Sequence, residues 1–262
     1  YFLGFDALSS LLYGLALSSF SIAVYMFIQR KKAVSTKPIA AVQFDPALIS
    51  YVKKSFTASL EAGASILMIY ITVLLTITHF SVDELGDFQV VVRPVFTYMT
   101  MLFVFPIYKF VLPELAVNIR QGNQQQVRNI RRWVFKLSFI VASCFFVIVF
   151  LWGEALISWV FPREYSGALP VLLHFSMFFV FMMLNAYQLA FIKAHGRFNL
   201  SLIIRCMGIV TLVVAYYVLA QMSDNVVAII TALCSGYVVM FLLSSFAEYR
   251  ITHEKVQQPA AT

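Results

Sequence analysis

The sequence predicts an all-α, polytopic membrane protein with seven transmembrane helices, and three observations predict it. Seven apolar stretches lie at 3–28, 56–78, 88–113, 133–152, 168–192, 200–220 and 226–246. Each is close to the ~20 residues that a helix needs to cross roughly 30 Å of hydrocarbon. The composition is 61% hydrophobic and only 12% charged, with mean hydropathy +0.85, well outside the balance of a soluble domain. Third, the loops alternate in charge. Helices are expected because each satisfies its own backbone hydrogen bonds in lipid, and the short alternating segments of a barrel are absent.

The charge pattern orients the chain. Loop 30–54 carries Arg30, Lys31, Lys32, Lys37, Lys53 and Lys54, and the connector after Pro113 carries Arg120, Arg128, Arg131, Arg132 and Lys136. The link around His195 has Lys193 and Arg197, and the tail has Arg250 and Lys255. The intervening loops are acidic or nearly neutral, holding Asp83, Glu84 and Asp87, then Glu154, Arg163 and Glu164, then Asp224. Short basic loops stay on the cytoplasmic side, so Tyr1 is expected outside and the tail inside. The net charge of +7 resides in these flanks. It fits anionic inner-leaflet lipid and does not point to nucleic acid.

The first stretch, 3–28, is too long for a signal-peptide core and lacks a basic leader, so it is expected to be a retained helix. In the loop that follows, Lys37-Pro38 and Asp45-Pro46 interrupt helix. Residues 48–56 are expected to form a short amphipathic helix on the membrane surface. The chain therefore divides into one orphan helix and a six-helix lobe. Because it opens on Tyr1-Phe2-Leu3 with no initiator Met, it is expected to be the C-terminal part of a longer polypeptide.

Cys144, Cys206 and Cys234 all fall inside spans, and an odd count there reads as small packing residues rather than disulfides or metal ligands. The four histidines are scattered. No Gly-rich phosphate loop, HExxH or GxSxG occurs, and no loop is long enough for a catalytic domain. Neither an enzyme nor a cofactor is expected.

Several short motifs occur in a telling order. Leu85-Gly86-Asp87-Phe88-Gln89 leads into a span with Arg93-Pro94, Pro106 and Pro113. Then come Glu114-Leu115-Ala116, Arg120-Gln121-Gly122-Asn123, and the basic run from Arg128 to Arg132. Phe161-Pro162-Arg163-Glu164-Tyr165-Ser166-Gly167-Ala168 and Lys193-Ala194-His195-Gly196-Arg197 follow. Together they resemble the second lobe of bacterial O-antigen-type polysaccharide flippases in the multidrug/oligosaccharidyl-lipid/polysaccharide exporter superfamily. Tyr165 and Ala168 keep the spacing of a family pattern, whereas Pro162 stands where that pattern has Gly.

The resemblance covers roughly residues 50–250 and implies a specific division. Residues 1–29 are the last helix of a truncated N-terminal lobe, 30–54 the cytoplasmic linker, 55–250 the six-helix C-terminal lobe, and 251–262 a cytoplasmic tail. It implies two lobes around a cavity that opens alternately to each side, as in other repeat-built transporters. The protein would then sit in the bacterial cytoplasmic (inner) membrane.

Polar residues inside spans are the candidate transport residues. Thr57, Glu61, Ser65, Thr72 and Thr76 share one face of a helix, with Met68 between them. A charge there costs at least about 2.5–3.5 kcal/mol on insertion scales, so Glu61 must face protein or water. Either it lines a cavity and takes part in ion coupling, or it makes a structural contact between helices. Arg93 lies on an ideal helix with Thr97, Thr100 and Tyr108, and Lys109 projects from nearly the opposite side, with Pro106 distorting the phase. Both cations suit a diphosphate ligand. The plainer readings are a flank pairing with Asp87 for Arg93 and snorkelling for Lys109. His174, Phe178, Phe181, Asn185 and Gln188 share a face that could meet sugar hydroxyls, but an Asn or Gln in a span more often bonds a neighbouring helix, and that reading is favoured. Arg205, with Ser201 and Gly208, is expected to snorkel to the headgroups.

The resulting expectation is a flippase for polyprenyl-diphosphate-linked oligosaccharide, with a coupling cation left open. Rivals are a drug/cation antiporter of the same superfamily, a membrane-embedded polysaccharide polymerase, and a seven-helix receptor or retinal protein. The outer loops are too short for a polymerase, and the last span has no Lys for a Schiff base.

Overall fold

The structure, a computed structural model, describes residues 17, 20–22, 24–25, 46–80, 82–161, 163–221 and 227–256. All regular structure among them is helical. The chain divides into two compact units, Tyr1–Ile49 and Ser50–Thr262. Among the described residues, six helices are long and apolar enough to cross a membrane. We label them α1 (Pro46–His79), α2 (Glu84–Arg120), α3 (Gln124–Val160), α4 (Leu169–Ala194), α5 (Phe198–Ala220) and α6 (Val227–Val256). Most of the expected seventh span, 3–28, lies outside the described residues. Within it Leu17, Phe20, Ser21, Ile22, Val24 and Tyr25 are helical and exposed.

The separate surface helix expected at 48–56 is not a separate element. α1 runs unbroken from Pro46 to His79, so Lys53 and Lys54 are helical. Pro46 opens the helix where its missing N–H is not needed, and no further proline interrupts it. At the basic end of the bundle, two turns close in the same way. Gly122 and Gly196 adopt left-handed φ of 72° and 75°. Gly196 N donates to Lys193 O and Arg197 N to Ile192 O, while Gly122 N donates to Ile119 O and Asn123 N to Asn118 O. These are paired 5→2 and 6→1 closures that suit glycine because it alone has no Cβ to clash. Asn123 then caps α3, accepting from Gln126 N at 3.2 Å.

α2 is not a plain α-helix. It includes π-helical stretches at Asp87–Val92, Thr100–Val104 and Ile107–Val111. Its inward positions recur close to every fourth residue, as at Phe88, Val92, Phe96 and Val104. At 3.6 residues per turn such a stripe would drift around the helix, and the wider i→i+5 turns offset that drift. This overturns the ideal-helix face expected for Arg93, Thr97, Thr100 and Tyr108. Thr97 is exposed, and the other three are half-buried.

α4 is the central helix, packing against α2, α3, α5 and α6. Residues 182–192 are all buried, the mark of a helix enclosed on every side. α5 and α6 meet through Gly208 and Gly236, where a Cβ added to Gly236 would lie 2.8 Å from Gly208 O. Small residues allow such close approach between spans. The exterior is apolar: Trp133, Phe139, Phe150 and Trp152 of α3 are all exposed. Trp133 and Trp152 are about 28 Å apart along the helix, matching the hydrocarbon thickness, as expected for residues anchored at opposite interfaces. Of the cysteines, only Cys234 is a buried packing residue; Cys144 and Cys206 face outward, a correction to the expectation that all three pack inside.

Candidate functional site

The polar stripe of α1 is its packed face. Thr57, Glu61, Met68, Thr72 and Thr76 are all buried, and Ser65 is half-buried. Thr72 and Thr76 donate to the carbonyls of Met68 and Thr72, each at 2.8 Å. A threonine hydroxyl bonded to the preceding turn presents little polarity, so this part of the face is nearly apolar in effect. Glu61 has no such outlet. A lone carboxylate in this position would be strongly unfavourable, and the fold supplies two partners.

Glu61 is 3% exposed. Its Oε1 accepts from Arg205 Nη2 at 3.1 Å, and its Oε2 accepts from Lys193 Nζ. The Lys193 ammonium also lies over the Tyr108 ring, 4.7 Å from its centroid. Such a contact stabilises a desolvated cation. The glycine turn at His195–Gly196 fixes the last turn of α4, which directs Lys193 inward. Arg205 is delivered by a continuous face of α5, where Ser201, Arg205, Gly208, Leu212 and Tyr216 are all buried. The cluster thus joins α1, α4 and α5 and holds two cations to one carboxylate. Two donors beside it, Arg205 Nε and Ser201 Oγ, have no hydrogen-bond partner among the described residues.

Two expectations are corrected here. Arg205 does not snorkel: only 6% of its side chain is exposed, because its helical face points into the bundle and Glu61 meets it there. Lys193 is not a loop flank: it lies in the last turn of α4 with 11% of its side chain exposed.

A second buried network links α4, α6 and α3. Ser244 Oγ lies 2.5 Å from Gln188 Oε1 and 3.4 Å from Asn185 Oδ1, and Gln188 Nε2 donates to Ser245 Oγ at 2.6 Å. Asn185 and Gln188 therefore bond a neighbouring helix. Next to them Glu248 Oε1 accepts from Arg131 Nε at 3.2 Å, with Glu248 buried and Arg131 half-exposed. Glu248 Oε2 and the Tyr187 hydroxyl have no hydrogen-bond partner among the described residues. Glu248 and Arg131 were not singled out from the sequence, because both sit where flank residues are common.

The other candidates are dispersed. Thr72 and Arg93 line one narrow recess with Phe88, Phe96 and Leu233, and Arg93 Nη1 donates to Gln89 Oε1 at 2.8 Å. Lys109 is exposed, with its ammonium 5.5 Å from the Phe110 ring centroid, so it stands apart from the cluster that its neighbour Tyr108 joins. Two of the motif segments do meet: a Cβ on Gly86 would lie 3.4 Å from the Tyr165 ring, and one on Gly167 only 2.6 Å from the Asp87 carboxylate. Gly167 thus leaves room for Asp87. Among the described residues, no group of histidine, cysteine or carboxylate side chains is placed to hold a metal ion. No family model, curated protein or solved structure matches the chain.

Proposed function

We propose that these helices form the C-terminal lobe, with one preceding helix, of a flippase in the bacterial inner membrane. It moves polyprenyl-diphosphate-linked oligosaccharide to the outer leaflet for surface polysaccharide assembly, with the basic loops and the C-terminus in the cytoplasm. The observation that carries the reading is the Glu61–Lys193–Arg205 cluster, which holds an excess cation within an apolar six-helix bundle. Desolvated positive charge favours an anionic headgroup and disfavours a cationic drug. The order of motifs from Leu85 to Arg197 supports the same reading.

Lys193 is the mobile member, a flexible ammonium at the end of α4, and Arg205 is the fixed one. An arriving diphosphate competes with Glu61 for Lys193. Glu61, once relieved of that partner, accepts a proton or a small cation, which is where a gradient enters the cycle. Thr72 and Arg93 supply a second polar station nearer the acidic end. Complementation of a flippase-null strain with the full-length gene tests this. Glu61→Gln and Arg205→Met are expected to reduce surface polysaccharide at least tenfold per molecule of protein in the membrane, whereas Thr78→Ala leaves it unchanged. Full polysaccharide with both charge variants contradicts the proposal. Drug efflux without any effect on glycans favours the antiporter instead.

A further inference from the structure

A groove of about 460 Å³ opens at the basic end of the bundle, between the start of α1 and the turn that leads into α5. Lys53 and Lys54 come from one side and Arg197 from the other, and all three are exposed. None of the described residues that line it is acidic. Thr57 and Asn199 also line it, with Thr57 Oγ1 donating to Asn199 Oδ1 at 3.2 Å. Arg197 is the N-cap of α5 and makes no side-chain cap bond, so the first N–H groups of this 23-residue helix add positive potential. One turn behind Thr57 lies Glu61, whose cluster carries the excess cation. The buried donors Ser201 Oγ and Arg205 Nε, without partners among the described residues, lie one and two turns into α5 from Arg197.

Beyond the groove, the two helices that border it carry exposed apolar residues. α1 and α5 meet at Thr57–Asn199, at Glu61–Arg205, and at a His79–Tyr216 ring contact of 5.2 Å. Their outer faces show Phe56 and Leu60 on α1, and Ile203 and Met207 on α5, all exposed. A soluble anion would need the cations but not this adjoining surface. A lipid uses both.

We infer that the groove seats the phosphate of an anionic membrane lipid, whose chains lie along the Phe56–Leu60 and Ile203–Met207 faces. Lys53, Lys54 and Arg197 grip the phosphate, and the buried cluster deepens the potential beneath it. The inference does not rest on the transport reading, since it concerns a site at the bundle's edge.

Native mass spectrometry of the full chain, titrated in detergent with phosphatidylglycerol or phosphatidylcholine, tests it. Wild type is expected to retain one phosphatidylglycerol in preference to phosphatidylcholine. The triple variant Lys53→Gln, Lys54→Gln, Arg197→Gln is expected to bind it at least about tenfold more weakly. Because those side chains are exposed, its melting temperature is expected to stay near that of wild type. The control Arg120→Gln, Arg128→Gln, Arg132→Gln removes the same charge from another basic connector, and it is expected to keep affinity within about twofold. Equal loss in both triples shows diffuse surface charge and overturns the inference, as does unchanged binding in the first. Displacement of phosphatidylglycerol by inorganic phosphate at comparable concentration assigns the groove to a soluble anion and overturns the lipid assignment.

Discussion

Glu61 Oε1 and Arg205 Nη2 lie 3.1 Å apart although 144 residues separate them in the chain. Lys193 closes the other oxygen of the same carboxylate. Removing one member of this cluster is therefore not equivalent to removing another. Glu61→Gln leaves two buried cations facing each other and is expected to cost about 3–5 kcal/mol. Lys193→Met leaves a neutral Glu61–Arg205 pair and is expected to cost roughly 1–2 kcal/mol. Thermal unfolding in detergent measures the order. A larger loss for Lys193→Met shows that the excess cation is not where the geometry puts it.

The α5–α6 crossing makes a second prediction. A methyl on Gly236 meets the backbone oxygen of Gly208, which has no side-chain freedom to yield. Gly236→Ala is expected to cost about 1–3 kcal/mol. Gly63 is exposed on α1 with nothing within 4 Å of an added Cβ, so Gly63→Ala is expected to be neutral or stabilising by up to about 1 kcal/mol. Urea or thermal titration of the two variants side by side gives the comparison.

Arg131 holds a buried carboxylate from a half-exposed position. Arg131→Ala leaves Glu248 without its cation and is expected to destabilise by about 1–3 kcal/mol. Adding Glu248→Gln to Arg131→Ala is expected to recover most of that loss, since a neutral amide is less costly to bury. A double variant less stable than Arg131→Ala alone contradicts the pairing.

Much of this was legible along the chain where a regular period held. The α1 stripe was readable because α1 is uninterrupted, and Thr57, Glu61, Thr72 and Thr76 are indeed its buried side. The partners of Glu61 were not readable from any period. Lys193 and Arg205 occupy span ends, where basic residues are ordinary flanks, and only tertiary packing turns them inward. One signal pointed that way: a carboxylate on an apolar helix needs a cation nearby, and Lys193 and Arg205 border or lie within apolar stretches at the same basic side of the chain. The face of α2 misled for a different reason. Its π-helical turns change the angle per residue, so Arg93 and Tyr108 do not fall where an ideal helix puts them.

Everything depends on the buried cluster standing at the cytoplasmic end of a membrane-spanning bundle. Thiol labelling of intact cells measures this directly, in a background with Cys144, Cys206 and Cys234 replaced by serine. A membrane-impermeant reagent is expected to modify Ser158→Cys at the far end of α3, and to reach Arg128→Cys only after permeabilisation. Modification of Arg128→Cys in intact cells, with Ser158→Cys protected, would invert the orientation and contradict the account.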